Sequence, residues 1–327
     1  MEIRYFFVAN LILGFILCIF LIPKWIRVAK ENNLVGKDIQ KLDKREVAEA
    51  GGIIVLLVFI LMTLIYISLK VYTEKINYNN SLILAVISCI LISGFIGFTD
   101  DILGWKKGLG KITRIILMYS ASLPLIVINA GNSNMMGINF GLFYPLFFIP
   151  LGIIGATTTF NFLAGYNGLE TSQGIVLVGA LSIVNYLTGT FWLAYIGLLM
   201  VVCLSAFYIY NKFPAKVFPG DVLTYSVGVM IAIQAILGNI EKIAVFFFIP
   251  YILEVILKVR GKLVKQSFAR VKKDGSLENQ YDKIYGVEHL AVRILGKIKE
   301  KVYEKEVVYL INFFQILIII LGFILFI

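Results

Sequence analysis

The sequence predicts an all-α, polytopic integral membrane protein that crosses the bilayer about ten times. Hydrophobic residues make up 59% of the 327 residues and charged residues only 15%, and the mean hydropathy is +0.88. Soluble domains hold roughly half apolar and a quarter charged residues, so lipid must be the solvent of most of this chain. Because each span uses only about 20 residues, we expect one membrane domain over the whole length.

Ten apolar runs bounded by polar residues predict the transmembrane helices. They lie at about 3–23, 51–70, 81–98, 112–130, 142–159, 173–187, 190–208, 222–237, 243–258 and 307–327. Two of them, 173–187 and 222–237, are shorter than the usual minimum of about 17 residues. We therefore expect these two to tilt, to extend into their loops or to lie among other helices.

The loops that follow the odd-numbered spans hold most of the basic residues. They carry 26 of the 30 lysines and arginines, so the positive-inside rule predicts that these loops are cytosolic and that both termini lie on the other side. The cytosolic loops are expected at about 24–50, 99–111, 160–172, 209–221 and 259–306. The opposite loops are short, so we expect the chemistry at the cytosolic face.

The net charge of +10 could indicate a nucleic-acid partner. The basic residues lie between apolar runs, however, where anionic lipid and membrane orientation explain them better. No nucleic-acid partner is expected. The basic region 258–305 is instead predicted to include an amphipathic helix at the membrane surface.

Two adjacent carboxylates, Asp100 and Asp101, follow the third apolar run and precede a cluster of lysines that ends at Lys111. This arrangement suits a site for magnesium and phosphate, because a hard cation prefers carboxylate oxygens and phosphates need compensating cations. A solvated acidic turn explains this loop equally well when it is taken alone.

Two further loops present oxygen ligands at span ends. The loop from Asn161 to Gln173 holds amides and one acid but no basic residue, although its Asn-Gly pair is also typical of an ordinary turn. In the next cytosolic loop, Asp221 is the one acid and stands where an apolar span resumes. An unpaired carboxylate there is costly unless a cation neutralises it. Together the three loops predict one magnesium site between helix ends.

These stretches resemble the polyprenyl-phosphate N-acetylhexosamine 1-phosphate transferases, a glycosyltransferase family 4 type. Within that family they are similar to the dolichyl-phosphate N-acetylglucosamine phosphotransferase branch more than to the bacterial translocase of peptidoglycan synthesis. The matching segments are Gly36–Asp38 with Glu49–Gly52, Gly97–Asp101 with Lys111, Asn161–Gln173 and Val217–Asp221. The resemblance implies transfer of N-acetylglucosamine 1-phosphate from UDP-N-acetylglucosamine to a polyprenyl (dolichyl) phosphate, with release of UMP. That reaction is the first step of lipid-linked oligosaccharide synthesis for protein N-glycosylation.

The resemblance also implies roles for individual residues. The residues similar to the family's Mg²⁺ ligands are Asp221 and Asn161. Those expected to be catalytic, near the metal and the acceptor phosphate, are Asp100, Asp101 and Lys111. Those expected to bind substrate are Phe218, which would stack on uracil, Asn167, which would contact the base, and Glu170, Glu49, Arg270 and Lys265.

The last cytosolic loop departs from the family pattern, because its basic motif is reduced to Arg270 and, loosely, Lys265. That motif helps to choose the sugar, so another UDP-N-acetylhexosamine or an undecaprenyl carrier stays open. Thr158 and Gly104 also replace residues that are commonly polar in the branch.

Two remaining polar residues have simpler interpretations. His289, the sole histidine, lies in an amphipathic stretch and is expected to pack or to lie at the surface. Glu254 lies inside the ninth run, one turn from Lys258, and is expected to pair with it.

A transporter is the main alternative from another class of protein. Transporters place ionisable groups near mid-membrane, whereas here the acids and amides collect at the cytosolic span ends. The expected location is the plasma membrane of a prokaryote, an archaeon in particular, with the endoplasmic reticulum membrane as the alternative. A homodimer is compatible with the sequence.

Overall fold

The computed structural model describes residues 2–74, 79–104, 108–135 and 137–327. Within these ranges the chain is mostly helical, as predicted, and its α-helices number twelve. The helices are α1 Glu2–Glu31, α2 Gly52–Glu74, α3 Asn80–Leu103, α4 Lys111–Val127, α5 Ile149–Phe162, α6 Leu169–Leu187, α7 Phe191–Asn211, α8 Gly220–Gly238, α9 Glu241–Phe247, α10 Ile249–Arg260, α11 Val287–Ile298 and α12 Glu304–Phe326. A π-helical turn, Tyr144–Phe148, leads into α5.

Three short antiparallel strand pairs were not expected in an all-α chain. They are β1 Val35–Lys37 with β2 Glu46–Ala48, β3 Asn134–Met135 with β4 Ile138–Asn139, and β5 Arg270–Val271 with β6 Leu277–Glu278. Each strand has only two or three residues, too few for an alternating pattern to reveal it. The loops outside the spans are therefore partly ordered by backbone pairing.

Each of the ten predicted apolar runs lies on helical structure. In the described ranges, seven helices are long and apolar enough to cross a membrane. They are α1, α2, α3, the π-turn with α5, α7, α8 and α12. The three remaining runs correspond to α4, to α6 with its polar first turn, and to α9 and α10, which are interrupted at Phe248. The chain is polytopic, and ten crossings stay a prediction.

Several helices run beyond the predicted spans. Helix α1 continues through Pro23 to Glu31, so the first loop begins later than predicted. Helix α3 continues to Leu103, which places Asp100 and Asp101 in its last turns. The lysines predicted beside these acids, at positions 106 and 107, lie outside the described residues.

Helix α8 is the centre of the bundle. Of its spanning stretch 83% is buried, against 22% for α1, and it packs against α2, α3, α5, α6 and α7. Its closest neighbour approaches at Gly97 in α3, where an added Cβ would lie 2.4 Å from the carbonyl oxygen of Asp221. Only glycine allows the two backbones to come so near. This approach places the acidic end of α3 beside the first turn of α8.

Candidate active site

Asp101 joins α3 to the start of α8. Its carboxylate accepts the backbone N–H of Asp221 at 2.7 Å and that of Val222 at 3.1 Å. The first N–H groups of a helix have no partner within the helix, and a carboxylate there also interacts favourably with the helix dipole. Asp101 therefore caps α8 from a neighbouring helix and fixes the position of Asp221.

Asp100 is buried and held by a cation and a backbone donor. One of its oxygens lies 2.6 Å from a guanidinium nitrogen of Arg114, and the other accepts the N–H of Leu109 at 2.6 Å. An added Cβ on Gly108 would lie 2.1 Å from this carboxylate, so glycine is needed for the loop to pass. The loop before α4 is thus wrapped around Asp100.

Arg114 also approaches the second acid, with its guanidinium 3.9 Å from Asp221. It is the residue that sequence reasoning missed. Lys111, the predicted phosphate partner, is exposed at the first position of α4, whereas Arg114 lies one turn later and faces the acids. The only sequence signal was its place among the basic residues of that loop. The role predicted for Lys111 stays a prediction.

Asn161 and Asp221, the two predicted metal ligands, lie together. The amide of Asn161 at the end of α5 donates to the carboxylate of Asp221 at 3.2 Å. In the described part of the chain, no three His, Cys, Asp or Glu side chains form a ready-made metal cluster. Mg²⁺ is commonly held by one or two carboxylates and by substrate phosphates, so the carboxylate of Asp221 fits it, and a turn of the Asn161 amide would bring its oxygen to the same point.

The segment before α8 is tied to the segment before α2. The N–H of Phe218 donates to the carbonyl of Ala48 at 2.7 Å, and the N–H of Gly51 donates to the carbonyl of Phe218 at 2.9 Å. Phe218, predicted to stack on the base, is therefore held by hydrogen bonds through both its backbone N–H and its backbone carbonyl. Beside it, the carboxylate of Glu49 lies against Gly36. Burial, with smaller contributions from Asp221 and another acid, raises the pKa of Glu49 to about 7.

Asn167 is buried in the turn between α5 and α6. Its side-chain amide donates to Asp38 at 3.1 Å, and its backbone N–H donates to Glu304 at 2.7 Å. Lys41 lies between these two acids, 3.7 Å from Asp38 and in contact with Glu304. Glu170 accepts the N–H of Gly165 at 2.7 Å in the same turn. The turn is therefore fixed by three carboxylates, and the base-contacting role of Asn167 stays a prediction.

The two basic residues predicted in the last loop have other contacts. Arg270 is 75% exposed and pairs with Glu278 at 3.7 Å across β5 and β6. The ammonium of Lys265 lies 4.7 Å from the ring centre of Tyr281. Among the described residues, neither forms an ion pair with the acids of α3 or α8. Their substrate roles stay predictions.

The packing predicted for the two remaining polar residues is confirmed. His289 in α11 is buried against Tyr281, and burial lowers its pKa below the ordinary value. Glu254 in α10 is buried and pairs with Lys258 at 3.4 Å.

The chain is similar to several transferases over most of its length. Residues 83–239 match the glycosyl transferase family 4. A protein of Saccharolobus solfataricus, provisionally named a UDP-N-acetylglucosamine–dolichyl-phosphate N-acetylglucosaminephosphotransferase, is 36% identical over 84% of each chain. The Dictyostelium discoideum protein that bears this name is 28% identical over 73% of this chain and 68% of its own. A phospho-N-acetylmuramoyl-pentapeptide-transferase of Streptococcus thermophilus is 28% identical over 74% of this chain and 75% of its own.

The matched region runs from α3 to α8 and so contains the acids, the amide and the arginine that meet at these helix ends. With the 36% identity to the S. solfataricus protein over most of both chains, this places the chain in the glycosyl transferase family 4.

Proposed function

We propose that the chain transfers N-acetylglucosamine 1-phosphate from UDP-N-acetylglucosamine to a polyprenyl phosphate of the dolichyl type and releases UMP. The observation that carries this proposal is the meeting of Asp100, Asp221, Asn161 and Arg114 at the ends of apolar helices. Such a site can bind two phosphorylated substrates at a membrane surface, one of which is a lipid. The names of the relatives support the same donor and acceptor.

In this reaction an oxygen of the acceptor phosphate attacks the sugar-linked phosphorus of the donor, and the bond to UMP breaks. Phosphoryl transfer depends mainly on positioning and on neutralising negative charge. Asp221 and Asn161 would hold Mg²⁺, which when bound supplies positive charge to the donor diphosphate and the departing UMP. Arg114 presents a planar guanidinium that pairs well with phosphate oxygens.

The two adjacent acids have different environments, which supports different roles. Both oxygens of Asp101 accept backbone N–H groups at the start of α8, so we assign it the organisation of the site. Asp100 accepts one backbone N–H, that of Leu109, and its other oxygen pairs with the side-chain charge of Arg114. Asp100 is therefore the acid that would receive a proton from the acceptor phosphate or orient Arg114 toward it.

The orientation in the membrane follows from the charges of the loops. We propose ten spans, with the site at the cytosolic face and both termini on the opposite side. The membrane is the plasma membrane of a prokaryote, an archaeon in particular, with the endoplasmic reticulum as the alternative. The archaeal origin of the S. solfataricus relative supports this location.

The sugar is the part of the proposal with a specific alternative. Arg270 and Lys265, the remnant of the motif that helps to choose it, contact Glu278 and Tyr281 instead of the acids. Another UDP-N-acetylhexosamine, or an undecaprenyl carrier, is therefore the second candidate.

The test uses purified protein in detergent with magnesium, a short polyprenyl phosphate and radiolabelled UDP-N-acetylglucosamine. Label is expected in the organic phase, to be lost in Asp221→Ala and kept in Asp43→Ala, a control acid that is exposed in the first loop. Product from a different UDP-sugar alone would keep the mechanism and change the sugar. No product with any donor would refute the proposal.

A further inference from the structure

A buried ion pair in α10 takes no part in the mechanism above. Glu254 is fully buried and the side chain of Lys258 is only 12% exposed, with 3.4 Å between ammonium and carboxylate. A buried ion pair usually adds little stability compared with apolar residues of similar size, because both charges lose their hydration. Its presence in a bundle of this hydrophobicity therefore needs another explanation, which its contacts provide.

The pair is bonded to both ends of the segment between α10 and α11. Lys258 donates a hydrogen bond to the hydroxyl of Ser267, which is itself buried. Glu254 accepts the N–H of Val287 at 2.5 Å, at the first residue of α11. Together they attach both parts of the segment between α10 and α11 to a single helical turn of α10.

The residue after Ser267 brings an aromatic ring to the turn between α5 and α6. Phe268 follows Ser267 and lies against Gly165, where an added Cβ would be 2.8 Å from the ring. Gly165 also has φ of +111°, a conformation that L side chains rarely adopt. The buried His289 faces the backbone of residues 266–268. The ring therefore lies against the turn, and the backbone that carries it packs on His289.

Gly165 begins the turn that contains Asn167, the residue expected to contact the uracil. The turn is fixed on its other side by the bond from its N–H to Glu170. Phe268 thus packs against this turn. Its position depends on the hydrogen bond from Lys258 to Ser267, the residue before it.

We propose that Lys258 and Glu254 are positioning residues for the donor nucleotide. They hold Phe268 against Gly165 and so set the shape of the turn that presents Asn167 to the base. This inference rests on the proposed function, because it assigns the turn to a uridine nucleotide. It predicts that changes at these residues weaken binding of the donor nucleotide but not of the polyprenyl phosphate acceptor.

The experiment compares wild type with Lys258→Met, Phe268→Ala and the combination of the two. We expect each single variant to raise the KM for UDP-N-acetylglucosamine about tenfold, with kcat and the KM for the polyprenyl phosphate within about twofold. The combination should raise the donor KM no further, because both changes act on the same contact of Phe268 with the turn. Lys258→Arg keeps the charge and a donor, so it should restore most of the donor affinity. Lys297→Met, at an exposed lysine of α11, is the control.

Lys258→Met leaves Glu254 buried without its cation, and the protein could lose folding for that reason. The variant Glu254→Gln with Lys258→Met removes both charges and should fold, while still showing the weaker donor binding. Its melting temperature is measured beside the kinetics. Donor KM values equal to wild type in a folded double variant would overturn the proposal, as would equal losses for donor and acceptor.

Binding of UDP alone separates this inference from the proposed function. The dissociation constant of UDP, measured by calorimetry, should rise about tenfold in Lys258→Met even if no turnover is detected with any acceptor. Wild type that binds UDP but makes no lipid product would refute the proposed reaction only. Unchanged UDP affinity in the variant, or wild type that binds no UDP, would refute the positioning role.

Discussion

Replacing Arg114 with methionine tests whether the site depends on the arginine that the structure brings to the acids. Its guanidinium lies 2.6 Å from Asp100 and 3.9 Å from Asp221. A charged hydrogen bond of this kind contributes about 1.5–3 kcal/mol, and because the side chain of Arg114 is 37% exposed, solvent screening favours the lower end. About 1.4 kcal/mol is tenfold in rate, so kcat/KM should fall by about 10- to 100-fold.

The assay is formation of lipid-linked product at saturating magnesium, with Arg114→Lys and Lys111→Met measured beside Arg114→Met. Lysine keeps the positive charge but not the planar guanidinium, so Arg114→Lys should lose less activity than Arg114→Met. Lys111→Met should lose less still, because Lys111 is exposed. The melting temperature of each variant shows whether it is folded. A larger loss for Lys111→Met than for Arg114→Met would refute the assignment.

Three further predictions concern stability, measured by thermal melting in detergent. Gly97→Ala should destabilise the protein by about 1–3 kcal/mol, because the new Cβ would overlap the α8 backbone. Gly155→Ala is the control and should destabilise it far less, because no atom lies within 4 Å of a Cβ added there. Equal effects of the two changes would contradict the close packing at Gly97. Asp101→Ala should cost about 1–2 kcal/mol through the lost cap, and no change would show that the cap contributes nothing. Burial, and next the charge of Glu254, raise the pKa of Glu288 well above its ordinary value. Because the folded state favours the protonated form, the contribution of Glu288 to stability is fully present below the ordinary pKa and falls as the pH rises toward the raised pKa. Glu288→Gln should remove that decline. Parallel curves of melting temperature against pH for wild type and this variant, from pH 5 to 9, would contradict the expectation.

The helical elements could be predicted because lipid requires every backbone group to be bonded within the chain. Long apolar runs such as 51–70 therefore became helices close to their predicted bounds. The same requirement explains why α1 continues through Pro23, where a soluble helix would more often end. The short strands, by contrast, depend on loops meeting in space, which local pattern does not encode.

The site was predictable where a residue type carried its own chemistry. Asp100, Asp221 and Asn161 stand out as oxygen ligands at span ends, and the structure brings them together. Lys111 and Arg114 could not be separated by type, because both are basic and both follow the acids. Three positions correspond to nearly one helical turn, so only the direction of α4 decides which of them faces Asp100.

The close approach of α3 and α8 at Gly97 has a consequence for how this protein can be altered. The carboxylates do not belong to exchangeable loops. They lie at the ends of α3 and α8, whose backbones are in close contact in the interior of the bundle. A chimaera with a relative would have to exchange α3 and α8 together. A larger side chain at the contact between them would move Asp101 away from the N–H groups that it caps. Changes in bilayer thickness that tilt one of these helices would for the same reason reach the reacting groups directly.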